Sequence, residues 1–287
     1  MSATAFAAVV TVAAVAAGEA GSASGASTAT PTTQAATDTA IAGLVEVKSL
    51  FEPPTVQTSD TATAVCPGEK VVVGTGFLIA DPNVVATGLV VTEKTVKLRA
   101  HVDTSPNPGP WSAQAMAYCA DRPKGYVLPP LVTSVRSAEA EKTVFATCPG
   151  NTQVLGTSFD TSNGNGRVVV DEILPSTNKI SVKAFDRTPG NRWRLHVGAI
   201  CAAPLDNRTV VTTSPVKFNS NGKAAEATCP IGTQVINNSF DLIGSLGQVN
   251  PTSAIRKVIS SRTSQVAGFE AFGTNKSWAI RSFAVCA

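Results

Sequence analysis

A threefold internal repeat is the feature of this sequence that most restricts its fold. A Cys-Pro pair opens a block at Cys66, Cys148 and Cys229, at nearly equal intervals along the chain. Each block has a Phe at the same distance from its first Cys, and a Trp at the same distance from its second Cys. In chain order these residues are Phe77, Trp111 and Cys119, then Phe159, Trp193 and Cys201, then Phe240, Trp278 and Cys286. Agreement at so many positions indicates three copies of one unit.

The six Cys fall two to a copy, so the simplest disulfide pattern joins the two Cys of each copy. The spacing favours the pairs Cys66–Cys119, Cys148–Cys201 and Cys229–Cys286, although six Cys formally allow about fifteen pairings. Each bridge would stabilise its copy by about 4 kcal/mol. Zinc is the competing interpretation, but the chain has no C-x-x-C pair and only two His. We therefore expect disulfides, with no metal and no cofactor.

The closing segment of each copy has the period-two pattern of a half-buried strand. In copy 2, Trp193, Leu195 and Val197 alternate with Arg194 and His196. Further strand-like runs lie between the two Cys of copy 2, with Asn-Gly turn chemistry at 163–166, and no helical period is present after the leader. The sequence predicts an all-β protein of three tandem homologous antiparallel β units. Each unit is expected to be small, sandwich-like or prism-like, with one internal disulfide.

The amino terminus has the composition of an export signal. Residues 3–17 are apolar and too short to span a bilayer as a helix, although no basic residue precedes them. The predicted organisation is a signal peptide or apolar leader (1–26), a flexible spacer (27–43) and three β repeats (44–120, 121–202, 203–287). A membrane-bound anchor is the alternative for the leader, and a bare linker is the alternative for the strand-like stretches between copies. We expect a secreted or cell-surface protein without a stable membrane span.

The repeated aromatic residues have two interpretations. Phe77, Phe159 and Phe240 are expected in the core. Because Trp111, Trp193 and Trp278 share a face with the disulfide Cys, we expect them in the core rather than in a sugar-binding platform. The opposite face of the closing strand carries Met116 and Tyr118 in copy 1, and Arg281 and Phe283 in copy 3. These side chains form a contact surface if they are exposed, or a second layer of core if a connecting strand covers them.

Catalytic machinery is not indicated. His101 and His196 have no counterparts in the other copies and are expected at the solvated surface. Asp160 and Asp241 each follow a repeated Phe, and a turn-capping role is expected for them. The net charge is +3 without a long basic run, so a nucleic-acid interface is not expected. We therefore expect a protein that is not an enzyme.

The Cys-Pro opening, the Trp strand and the Ala-x-Cys-Ala ending together resemble a repeat of poorly characterised secreted actinobacterial proteins. The resemblance covers roughly residues 62–120, 143–202 and 224–287. It implies an exported, disulfide-stapled β module. We expect recognition of a protein partner or self-assembly outside the cell, and a carbohydrate-binding, lectin-like protein is the alternative.

Overall fold

The computed structural model describes nine stretches of the chain within one unit that spans Thr37–Ala287. The described residues are 41–49, 57–79, 81–103, 110–188, 190–217, 222–245, 249–256, 262–270 and 277–287. The predicted leader and most of the predicted spacer lie outside them. Every regular element in these stretches is a β-strand, as the sequence predicts. A helix long and apolar enough to cross a membrane is not found in the described stretches.

Eighteen strands are present in the described residues, six from each copy. In copy 1 they are β1 (Val45–Lys48), β2 (Ser59–Val65), β3 (Val71–Ile79), β4 (Val84–Val91), β5 (Thr95–Val102) and β6 (Ala113–Ala120). In copy 2 they are β7 (Val132–Thr133), β8 (Glu141–Thr147), β9 (Gln153–Ser162), β10 (Val168–Pro175), β11 (Lys179–Asp186) and β12 (Arg194–Ala202). In copy 3 they are β13 (Thr209–Thr212), β14 (Gly222–Thr228), β15 (Val235–Ile243), β16 (Val249–Arg256), β17 (Thr263–Glu270) and β18 (Ala279–Cys286).

The strands form three six-stranded antiparallel sheets, and each sheet combines two copies. Sheet I has the order β1-β6-β3-β16-β17-β14, sheet II β2-β5-β4-β9-β12-β7, and sheet III β13-β18-β15-β10-β11-β8. The prediction of three separate β units is therefore wrong. In every copy, the first, third and sixth strands form half of one sheet, and the second, fourth and fifth form half of another. Sharing sheets in this way gives units of about 80 residues one common core, which buries a larger fraction of their surface than each unit would bury alone.

Alternating side chains explain why these segments are strands. In β8, Val144 and Ala146 are buried while Thr143 and Phe145 are exposed, and β2 and β14 follow the same rule. The strands of the connecting segments, β1, β7 and β13, lie at sheet edges and pair with the last strand of their own copy. The strand interpretation of these segments is therefore the one that the structure supports.

Each disulfide connects two different sheets. The bonds are Cys66–Cys119, Cys148–Cys201 and Cys229–Cys286, with sequence separations of 53, 53 and 57 residues. The first Cys of each pair directly follows an edge strand of one sheet, and the second lies in a strand of the neighbouring sheet. The disulfides predicted from the spacing are present. Together they tie sheet I to II, II to III and III to I.

The three sheets meet where β3, β9 and β15 approach one another. Thr75 donates its hydroxyl proton to the carbonyl oxygen of Thr157 at 2.9 Å, and its backbone N–H to the amide oxygen of Asn237 at 3.0 Å. A Cβ at Gly74 would lie 1.5 Å from the carbonyl oxygen of Ile236. Glycine is therefore required at position 74, because any side chain would collide with backbone of another copy.

A buried ionic cluster also contains residues from all three copies. The guanidinium of Arg187 forms an ion pair with Asp103 and donates to the amide oxygen of Asn250. The hydroxyl of Ser245 donates to the carboxylate of Asp171, which contributes to the electrostatic environment of Arg187. Burial lowers the pKa of Arg187, and Asp103 opposes that shift. Removing one partner of a buried ion pair leaves the other charge uncompensated in the protein interior, which is strongly destabilising. The cluster therefore stabilises the association of the three copies.

Candidate functional site: the outer face of sheet II

The three Trp side chains lie in the core and are not available as an aromatic platform. Trp111, Trp193 and Trp278 have relative exposures of 2%, 0% and 3%. Their indole N–H groups donate to the backbone oxygens of Gln57 and Glu139 and to the carboxylate of Glu270, respectively. Each Trp therefore satisfies its polar group inside the protein.

The three repeated Phe residues are also buried. Phe77, Phe159 and Phe240 each have a relative exposure of 1%. Phe77 and Phe159 contact each other edge to face, with their ring centroids 6.4 Å apart. They hold the central strands of different copies together and leave no ring surface for a ligand.

The side chains considered for a contact surface on the closing strands are buried in copy 1 and half-exposed in copy 3. Met116 and Tyr118 are buried, with exposures of 2% and 3%, and Tyr118 donates a hydrogen bond to Glu46 of the neighbouring edge strand β1. A contact surface that includes Met116 and Tyr118 is therefore wrong. Arg281 and Phe283 are half-exposed, and the guanidinium of Arg281 lies 5.4 Å from the ring centroid of Phe283.

A group of charged side chains from two copies lies on the outer face of sheet II. Along β5, Val96, Leu98 and Ala100 are buried, so the residues between them point outward. β12 contributes two further basic residues from copy 2, and β9 contributes one carboxylate. We call this surface the basic face, and its members are Lys97, Arg99, His101, Asp160, Arg194 and His196.

A short ladder between β4 and β9 brings the two copies together on this face. Gly88 pairs with Asp160, and Arg99 pairs with Gly88 from the other side. The guanidinium of Arg99 reaches across Gly88 to the carboxylate of Asp160 at 3.2 Å. A Cβ at Gly88 would lie 2.8 Å from that carboxylate, so the absence of a side chain permits the ion pair.

His196 lies beside Asp160 and is held by two hydroxyl groups. Its Nε2 is 2.9 Å from the Oγ of Ser162, and its Nδ1 is 2.9 Å from the Oγ1 of Thr133. In a hydrolytic Ser-His-Asp triad a carboxylate binds Nδ1 and stabilises the imidazolium. Here a threonine hydroxyl takes that place, so the arrangement orients the ring without supplying the charge that general-base catalysis uses.

Burial changes the titration of two members of the basic face. It raises the pKa of Asp160, and the nearby Arg99 and His196 only partly oppose this. It lowers the pKa of His101, with Asp103 acting in the opposite direction. His101 also contacts the carbonyl oxygen of Thr58 at 2.5 Å, which fits a neutral ring that donates from Nδ1. The permanent positive charge on this face therefore comes from Lys97, Arg99 and Arg194.

The corresponding row on sheet III is electrically compensated. Arg281, Asp241, Glu172 and Lys183 lie side by side on four consecutive strands. Arg281 contacts Asp241 at 2.5 Å, and Lys183 contacts Glu172 at 3.2 Å. In sheet I the corresponding closing-strand pair is Gln114 and Leu78, which carry no charge. On sheet II the ion pair of Arg99 with Asp160 is also compensated, but the exposed Lys97 and Arg194 form no ion pair among the described residues.

His101 and His196, which the sequence predicts as unrelated solvated residues, lie on one face of sheet II and are both half-buried. Asp160, predicted as a turn cap, instead lies within strand β9 on the same face. The alternation Lys97-x-Arg99-x-His101 was a local signal of this face. Its other half, Arg194-x-His196, lies in a different copy, so its proximity depended on the sheet order.

Comparisons with protein-family models and with curated proteins identified no relative. No protein-family model matches this chain, and no curated protein matches it. The function is therefore inferred from the basic face and from the disulfide-linked scaffold.

Proposed function

We propose that this protein is a non-enzymatic recognition protein that is secreted or held at the cell surface. The single observation that carries the proposal is the basic face, where cations from two copies project from a sheet that the disulfides anchor. Lys97 and Arg194 are exposed and form no ion pair within the described part of the chain. Exposed cations without partners on a rigid sheet suit the recognition of an extended anionic partner.

The disulfides support an extracellular location. They indicate an oxidising compartment, because thiols are kept reduced in the cytosol. Each bond ties two sheets, so the scaffold is held together independently of bound ligand. A preformed face loses little conformational entropy on binding, which favours recognition as its role.

A carbohydrate-binding role is the second candidate, and hydroxyl groups beside the cations favour it. Thr61 and Thr63 on β2 are exposed and lie directly opposite Arg99 and Lys97. Thr133 on β7 is exposed beside His196. Hydroxyl groups both donate and accept hydrogen bonds, as sugar hydroxyls require.

Co-sedimentation of the labelled full chain with envelope fragments of its source cells tests the proposal. We expect saturable binding that Lys97→Glu combined with Arg194→Glu weakens at least fivefold. The matched control combines Lys124→Glu with Lys179→Glu, two exposed lysines away from this face, and changes the net charge by the same amount. Equal loss in both variants, or no saturable binding by the wild type, would refute recognition through the basic face.

A further inference from the structure

The basic face of sheet II carries more positive than negative charge, in a protein whose net charge is +3. On sheet II the basic face has three permanent cations and the single carboxylate of Asp160. Two more exposed arginines are Arg136, which follows β7, and Arg192, which precedes β12; each side chain donates to the other's backbone carbonyl. They extend the positive surface beyond the start of β12. Such a concentration raises the local density of an anionic ligand.

The spacing of these cations fits an extended polymer rather than a single small anion. Lys97 and Arg99 are two residues apart on β5, which separates them by roughly 7 Å along the strand. β12 lies three strand intervals from β5, which places Arg194 roughly 14 Å across the sheet. A single phosphate or sulfate ion cannot reach both strands, whereas a chain with regularly spaced anionic groups can.

The chemistry around the cations favours a polysaccharide over a nucleic acid. Single-stranded nucleic acids are bound by stacking their bases on aromatic side chains. The exposed Phe side chains of the described surface, Phe145 and Phe269, belong to β8 of sheet III and β17 of sheet I. Sheet II offers hydroxyl groups instead, including Thr61 and Thr63, which suit sugar hydroxyls.

We infer that the basic face binds an acidic polysaccharide, with carboxylate or sulfate groups on Lys97, Arg99 and Arg194 and sugar hydroxyls on the neighbouring threonines. This inference rests on the proposed recognition function and names its ligand class. Asp160 orients Arg99 by the ion pair across Gly88. Because most of these contacts are at the surface, salt weakens the binding.

Affinity electrophoresis of the full chain through gels that contain polygalacturonate, a polymer of uronic acid, tests the inference. We expect retardation by polygalacturonate and none by neutral dextran of similar length, with at least fivefold weaker binding at 0.5 M salt. Lys97→Glu with Arg194→Glu is expected to weaken the binding at least tenfold. Lys124→Glu with Lys179→Glu is expected to weaken it less than twofold, and urea unfolding checks that both variants are folded.

Three results would overturn the acidic-polysaccharide inference. They are equal retardation by dextran, equal loss in the two double variants, and tighter binding to an oligothymidylate or to vesicles with anionic headgroups. Envelope fragments separate this inference from the proposed function. If they bind through the basic face but polygalacturonate does not, the ligand class is wrong and recognition stands. If neither binds, both fail.

Discussion

Replacing Lys142 with Met removes a buried ammonium that joins sheet III to the segment leading into β12. Lys142 lies in β8 and is 5% exposed. Its Nζ donates to the carbonyl oxygens of Val135 at 2.7 Å and Trp193 at 2.8 Å, and to the hydroxyl of Ser137 at 2.9 Å. The same atom lies 4.7 Å from the ring centroid of Trp193. Methionine keeps the apolar stem but leaves these acceptors without their charged donor.

The expected loss follows from the acceptors that are left behind. Only the bond to the carbonyl oxygen of Trp193 is buried, whereas the bonds to Val135 and Ser137 are part-buried, so that water can replace the lost donor there. The buried acceptor costs about 1–3 kcal/mol when it loses its partner, and the part-buried ones cost less. Burial lowers the pKa of Lys142, because the charged form has lost hydration, and removing the charge recovers part of that cost. The net loss is therefore expected at about 2 kcal/mol.

Urea unfolding with intact disulfides measures this loss from the transition midpoint and slope. Lys179→Met is the matched control, because its exposed ammonium lies at the same 4.7 Å from a ring centroid, that of Phe145, without a buried network. It should cost at most about 1 kcal/mol. A loss for Lys142→Met below about 1 kcal/mol, or equal to that of the control, would refute the structural role of the ammonium.

Three further predictions concern the scaffold and the basic face. Cys148→Ala with Cys201→Ala opens a 53-residue loop and should cost about 4 kcal/mol in urea unfolding; a loss under 1 kcal/mol would show that the sheets hold without this bond. Gly74→Ala should abolish folding or cost more than about 3 kcal/mol, because its Cβ would overlap the carbonyl oxygen of Ile236; a wild-type circular dichroism melt would contradict this. Burial raises the pKa of Asp160 in the folded state, so the folded protein binds this proton more tightly than the unfolded chain does. This contribution to stability is present at acid pH and is lost as the pH rises through the folded-state pKa. Asp160→Asn should therefore gain stability relative to wild type from pH 3.5 to 6.5, and a constant difference would refute the raised pKa.

Local patterning determined the class of structure and the faces of individual strands. Val144 and Ala146 are buried and Phe145 is exposed because successive side chains of a strand point to opposite faces. The common spacing of Cys and Trp in the three copies led to the correct disulfides, since each bond joins residues of one copy. These properties depend on short stretches of chain, so the sequence was sufficient for them.

The burial of Met116 and Tyr118 shows where local patterning stopped being informative. Phe283 of copy 3 occupies the position of Met116 in the closing strand, yet Phe283 is half-exposed and Met116 is buried. A period-two pattern separates the two faces of a strand but does not say whether the second face is also covered. In copy 1 the second face is covered by the packing around Tyr118, which donates a hydrogen bond to Glu46 of β1.

By itself, the sequence determined an all-β chain with three cysteine pairs and an alternation of inward and outward residues. The tertiary structure decided which copies share a sheet, because strand edges offer the same backbone donors and acceptors to any partner. Pairing β4 of copy 1 with β9 of copy 2 placed Arg99 beside Asp160 and Lys97 on the same face as Arg194. The basic face exists only because of that strand pairing, since its two halves are remote in the sequence.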